Sequence, residues 1–293
     1  MSDGGILAKL DEINELPTLA VIAGELNRLL DDENTSASKV GAAIEKDQAL
    51  ASKILKLVNS AFFGLSSRVS SITHAITILG FNTVRNAAVS ISVIKSFSGK
   101  GQGEQFNLAD FWSHSVSVAV IARHLAEKCG LQTQNDCFTA ALLHDMGKVV
   151  LSQCLTEKFE MVSSRMKREG ISFNEAEKGI IDIDHAGIGA YLAKKWKLPP
   201  GLVDAIRYHH VPTKSAQDWE LLLVVHGADV LSHFIGDGFK EREAAYSTEE
   251  GRKKLCDRMD PDATAALEKA LKMLPQWAPR ACKEIESARI FFQ

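Results

Sequence analysis

Histidine and aspartate recur between residues 114 and 229 of this 293-residue chain at positions that can gather a divalent metal. The set is His114, the adjacent pair His144 and Asp145, His185, the adjacent pair His209 and His210, and Asp229. Imidazole and carboxylate together suit zinc, iron, manganese or nickel, and no thiolate favours a softer ion. The intervals between successive members each leave room for a helix, a turn and an antiparallel return, so all of them can sit at one level of a bundle. Adjacent residues on a helix diverge by about 100°. His144 and Asp145 therefore fit best where the aspartate bridges two metals and the histidine faces one. Two divalent ions bring four positive charges, of which Asp145 and Asp229 cancel two. The remainder attracts phosphate, and a metal pair activates water and stabilises phosphoryl charge. Lys148, three residues beyond Asp145, adds a donor for a phosphate oxygen. The chemistry expected is metal-dependent phosphodiester or phosphate hydrolysis, with Asp145 and Lys148 as its catalytic groups and a phosphate-containing small molecule or nucleotide as substrate.

The remaining histidines read differently. His74, His124 and His233 stand singly on helical stretches and are expected to be structural, as buried polar groups commonly are. His226 lies one turn before Asp229 and is also given a structural role. Five cysteines (Cys129, Cys137, Cys154, Cys256 and Cys282) form no CxxC pair and are odd in number, which points to reduced thiols in a cytoplasmic protein.

Positioning these side chains falls to helices. No proline occurs between Pro17 and Pro199, and there the apolar spacing is repeatedly helical. Stripes at steps of three and four run through Leu19, Ile22, Leu26 and Leu29/Leu30, through Leu50, Ile54, Leu55 and Val58, and through Ile72, Ala75, Ile76 and Leu79, the last stopped by Gly80. A further helix is expected from Thr83 to Phe97, although Val89 to Ile94 alternates well enough to pass for a strand. The linker Ser98 to Gly103 contains GKGQG but lacks the GxxxxGK[ST] phosphate-loop pattern. Asn107 is placed to cap a helix carrying His114, and another runs from Phe138 into His144. Ser172 and Glu175 have capping-box spacing. Helices follow over 186–195, 201–209 and 221–234, then from Pro261 to Leu274, with a last one beyond Pro279. The fold class expected is all-α and two-lobed: residues 1–103 as an N-terminal lobe, 104–236 as the metal-binding lobe, and 237–293 as a C-terminal helical extension packed on it.

Composition narrows the partners. A net charge of −3 and a pI near 6.3 supply no field for nucleic acid or anionic membrane. The first residues lack the basic start and apolar run of a signal peptide, and no stretch reaches the ~20 apolar residues of a bilayer span.

Several motifs resemble the HD superfamily of metal-dependent phosphohydrolases, and within it the HDOD branch. The second lobe reads LLHDMGKVVL, then DIDHAGIGAYLAKKWKLPPGLVDAIRYHHVP, then VVHGADVL. These match a histidine-aspartate pair, a DHxxxGxxL helix, a W-x-L-P turn and a terminal HH-x-P. The first lobe reads DQALASKILKLVNSAFFG and SSITHAITILGFNTVRNAAVS, similar to the branch's N-S-A-x-F-G turn and S-I-x-x-A-I-x-x-L-G helix. The resemblance spans roughly residues 15 to 235. It implies an all-helical protein of bacterial signalling or regulation. Residue by residue, His114 matches the first histidine, His144 and Asp145 the name-giving pair, and Asp229 the closing aspartate. His185, His209 and His210 match the histidines that hold a second metal in the related HD-GYP phosphodiesterases. VPTKSAQD follows His210 in place of the G-Y-P segment, so cyclic di-GMP is not carried over as substrate. Many HDOD proteins resemble non-enzymatic modules, which sets a second expectation: a metal- or nucleotide-binding module that acts through a signalling protein partner.

Overall fold

The computed structural model of the protein describes residues 6, 25–26, 28–29, 35–60, 63, 65, 67–97, 106–212, 218–232 and 274–289. The loop over 98–103, residues 261–273 of the helix expected from Pro261 to Leu274, Leu19, Ile22 and Leu30 of the first stripe, and His233 lie outside them. The first lobe contains α1 (Ala37–Glu45), α2 (Gln48–Val58), α3 (Ile72–Leu79) and α4 (Phe81–Phe97). The second contains α5 (Leu108–Cys129), α6 (Gln134–Leu143), α7 (Met146–Cys154), α8 (Thr156–Glu169), α9 (Phe173–Glu177), α10 (His185–Lys195), α11 (Pro200–Tyr208) and α12 (Trp219–Ser232). α13 (Leu274–Arg289) follows. No strand occurs among the described residues, where only a single bridge joins Lys178 to Ile181. The architecture is all-α.

Several helix starts are capped by the side chain before them. Ser36, Asp47 and Ser71 accept from backbone N–H groups in the first turns of α1, α2 and α3, satisfying donors the helix cannot use. Asn107 does the same for α5, taking the N–H groups of Ala109 and Asp110. Ser172 and Glu175 form the expected capping box. Residues 89–94 are helical within α4, where alternation was ambiguous. The last helix differs from expectation. It begins at Leu274 and contains Pro279 rather than starting beyond it. Pro279 is exposed, so the one ladder bond its ring removes faces solvent.

Two apolar cores form. One gathers Leu26, Val40, Ile44, Leu50, Ile54, Val58, Ile72, Ala75 and Val84. The other is built around α5, whose residues Ser115 to Ala122 are all buried. A helix buried on every side belongs at the middle of a bundle, and α6, α12 and α13 all pack on α5. α4 serves both cores, with Val84 and Ala88 in the first and Val89, Val93 and Ile94 in the second. Two side-chain bonds tie α4 to α6: Asn86 donates to Asp136 (2.6 Å) and Asn135 to Thr83 (2.9 Å). α6 runs from that contact directly into His144.

Candidate metal centre

α6 ends at Leu143 and α7 begins at Met146. His144 and Asp145 therefore sit at a joint between helices, not within one. The divergence expected of neighbours on a continuous helix does not apply there. Both side chains turn toward one point, with His144 Nε2 3.3 Å from Asp145 Oδ2. The joint is possible because α7 enters tight against α10. A Cβ on Gly147 would collide with the His185 carbonyl oxygen, so only glycine fits.

All seven histidine and aspartate positions singled out from sequence converge on this joint, in two adjoining groups. His114, His144 and Asp229 form one; Asp145, His185, His209 and His210 form the other, and within each the donor atoms lie within 4.8 Å of one another. The Asp145 carboxylate faces both. Oδ2 is 3.3 Å from His144 Nε2 and 3.8 Å from His114 Nε2, while Oδ1 is 3.2 Å from His185 Nε2 and 3.5 Å from His209 Nε2. Asp229 Oδ1 lies 3.4 Å from His114 Nε2 and 3.6 Å from His144 Nε2. Lys148 makes a salt bridge to Asp145 Oδ2, and its ammonium sits 5.2 Å over the Phe173 ring.

Four histidines are held in the same way. A carbonyl or carboxylate can only accept, so the ring nitrogen facing it carries the proton. His144 Nδ1–H donates to the Ala141 carbonyl (2.6 Å), His209 Nδ1–H to Ile206 (2.8 Å), and His185 Nδ1–H to Glu177 (2.6 Å). At His114 the partner of Nδ1 is the Ser232 hydroxyl (3.4 Å), whose own proton goes to the Asp229 carbonyl. In each case Nε2 is left for the centre, the tautomer control typical of metal-ligating histidine. His144 Nε2, His209 Nε2 and Asp145 Oδ1 are buried without a hydrogen bond. Such orphaned atoms are rare in protein interiors. His185 Nε2 and His210 Nε2 are 2.9 Å apart, a separation at which two lone pairs repel unless a proton or cation lies between them.

Electrostatics divide the cluster. Burial opposes charge on His144, but the Asp145 carboxylate beside it, with Asp229, outweighs this and carries its pKa up to about 10. Burial also opposes ionisation of Asp145 and Asp229, yet the surrounding histidines, with Lys148 at Asp145, hold both well below the usual carboxylate range. Burial pushes His209 down to about 4, and burial with its histidine neighbours pushes His210 lower still. His209 and His210 thus offer neutral lone pairs, while at His144 a cation would replace a proton.

Sequence reasoning did not find every supporting residue. Glu177 grips His185, Phe173 stacks edge-on against its ring at 5.6 Å, and Ser232 turns His114. Glu177 carried no local signal: it stands eight residues before His185, and only the fold brings the two together. His226 stays outside both groups and donates from Nδ1 to the His209 carbonyl (2.6 Å), a supporting role in line with its structural reading. His124 pairs with Glu284 at 3.0 Å, away from the centre.

A helical bundle that turns histidine and carboxylate inward around an adjacent histidine-aspartate pair defines an HD-type protein. The chain belongs to the HDOD domain family, matched over residues 16–212. It is similar to an HDOD domain protein of unknown function from Geobacter sulfurreducens, with TM-score 0.68 at 24% identity, covering 92% of this chain and 91% of that one. It also resembles a protein of Shewanella amazonensis SB2B provisionally named a phosphohydrolase, with TM-score 0.68 at 26% identity, covering 95% and 97%. An uncharacterized protein of Treponema pallidum (strain Nichols) is 28% identical over 214 residues, 73% of this chain. The chain spans 41% of that relative's length. No described helix is long and apolar enough to cross a membrane.

Proposed function

We propose that the protein is a metal-dependent phosphohydrolase acting on phosphodiesters, with two divalent ions held by His114, His144, Asp145, His185, His209, His210 and Asp229. The observation that carries this reading is the division of the Asp145 carboxylate, one oxygen toward each group of donors. A carboxylate so placed is the natural bridge of a metal pair. Ions bound there supply Lewis acidity and activated water for attack on phosphorus. The chain's own part is to fix each Nε2 through a bond at Nδ1, to keep the donors in a buried setting, and to hold a cation beside the bridge. Lys148, already on Asp145 Oδ2, is within reach of a phosphate oxygen at that edge. The provisional name of the Shewanella protein fits this reaction class.

The test is turnover of bis(p-nitrophenyl) phosphate and of cyclic and linear nucleotides by metal-loaded protein, with Asp145→Ala as control. Hydrolysis that disappears in the variant supports the proposal. Full metal content without hydrolysis of any of them contradicts it.

One observation favours a second reading, a signalling module acting through a protein partner. The first lobe has its own core, and no metal-capable group is found among its described residues. Cells in which Asp145→Ala keeps a regulatory phenotype that deletion abolishes would support that reading against the enzyme.

A further inference from the structure

A carboxyl group in a protein interior is costly unless its oxygens are hydrogen-bonded. Glu177 is 1% exposed, and both of its oxygens engage one residue. Oε1 accepts from the His185 backbone N–H (2.8 Å) and Oε2 from its Nδ1–H (2.6 Å). This double grip fixes where α10 begins and how the His185 ring is turned. With Nδ1 bonded to Glu177, Nε2 is the ring atom turned to the centre, and it lies 3.2 Å from Asp145 Oδ1 and 2.9 Å from His210 Nε2.

Glu177 is itself held from behind. Arg165 on α8 donates to the carbonyls on either side of it, Ala176 at 3.3 Å and Lys178 at 2.6 Å. Lys158 donates to the carbonyl of Ile180 (3.3 Å). Gly179, at φ +80°, makes the turn that returns the chain toward α10. The short helix α9 and its loop therefore form a brace against one half of the centre. In the other half the Nδ1 partners are neutral: the Ala141 carbonyl for His144 and the Ser232 hydroxyl for His114.

We infer that Glu177 is a positioning residue that sets the occupancy of the His185–His209–His210 half separately from the His114–His144–Asp229 half; this rests on the two-ion reading above. A carboxylate partner fixes the histidine tautomer and raises the basicity of the ligating nitrogen, and losing such a partner typically weakens metal binding about 10–100-fold. Only one half has this partner, so only one half depends on it.

The experiment uses the full chain, its Glu177→Gln variant and, because a buried change can disturb folding, Arg165→Ala, which acts on the same brace from outside. Mn²⁺ titration counts ions and their affinities, and ¹⁵N NMR of the histidine rings reports the His185 tautomer without metal. The expected result is two ions in the wild type. In Glu177→Gln one affinity is unchanged and the other falls about 10–100-fold, with the His185 ring proton no longer confined to Nδ1. Arg165→Ala shows a smaller fall in the same ion. Two wild-type affinities and an unchanged tautomer in Glu177→Gln would overturn the role of Glu177 while leaving the two-ion reading intact. Loss of both ions from a folded Glu177→Gln protein would overturn the independence of the halves. A wild type that binds no Mn²⁺ counts against the two-ion reading instead, and the His185 tautomer then decides the role of Glu177 alone.

Discussion

Polar side chains in the two lobes are treated in opposite ways. In the first lobe, Asn59 accepts from the Val69 N–H (2.7 Å) and donates to the carbonyls of Leu55 and Val69 (2.8 Å each). Its amide closes the turn between α2 and α3. Asn86 is similarly bonded, to Arg85 and Asp136. In the second lobe, buried His144, Asp145 and His209 each retain an atom with no hydrogen bond, and all three residues belong to the two adjoining donor groups. Thr35 Oγ1 and Ser90 Oγ, in the first lobe, also lack a bond, but neither stands in a group of metal-capable donors. A satisfied polar group holds a fold together; several unsatisfied ones that converge indicate a ligand.

That contrast can be broken by substitution. The largest effect is expected for Asp145→Ala, which removes an oxygen from both halves. Metal affinity should fall more than ~100-fold, beyond the loss of an outer partner, as read by elemental analysis after dialysis. Next is Gly147→Ala. The new methyl meets the backbone of His185, so stability should drop by about 3 kcal/mol, the upper end for overpacking, measured as a lower urea midpoint together with loss of metal.

Asn59→Ala sharpens the comparison from the other lobe. Its lost bonds should destabilise the protein by about 1–3 kcal/mol, with metal content per folded molecule unchanged. A fall in metal content there would dissolve the distinction between the lobes.

The smallest effect concerns the pair that fastens α13 to α5. Burial raises the Glu284 pKa, but the hydrogen bond and charge of His124, with Arg280 and Arg123, outweigh it and hold the carboxyl below its ordinary 4.5. A depressed carboxylate contributes stability above its unfolded-state value, and that contribution is lost as pH falls through the folded-state value. Glu284→Gln should therefore weaken the fold by about 1 kcal/mol at pH 7. The difference from wild type should shrink below pH 4.5, as followed by thermal melts across that range.

Much of the centre was legible in the sequence because its donors stand in short, distinctive runs: HDMGK, DIDHAG, YHHVP and HGAD. Helices were legible from apolar spacing and caps, as at Asn107 and at Ser172 with Glu175. Contacts made only by the fold were less so. Glu177 meets His185 across a glycine turn, and no local pattern marks an acidic residue eight positions ahead of a ligand candidate. Gly147 stood inside a recognised motif, yet its reason, the passage of α10 against its backbone, is tertiary. Pro279 was read as a barrier because proline ends helices in general; a proline on an exposed face of α13 interrupts only one bond.

The central claim is that Asp145 bridges two ions. Anomalous scattering from crystals grown with Mn²⁺ tests it most directly. Two peaks on either side of the Asp145 carboxylate are expected, one bounded by His114, His144 and Asp229 and the other by His185, His209 and His210. A single peak, or peaks that Asp145 does not touch, would contradict it.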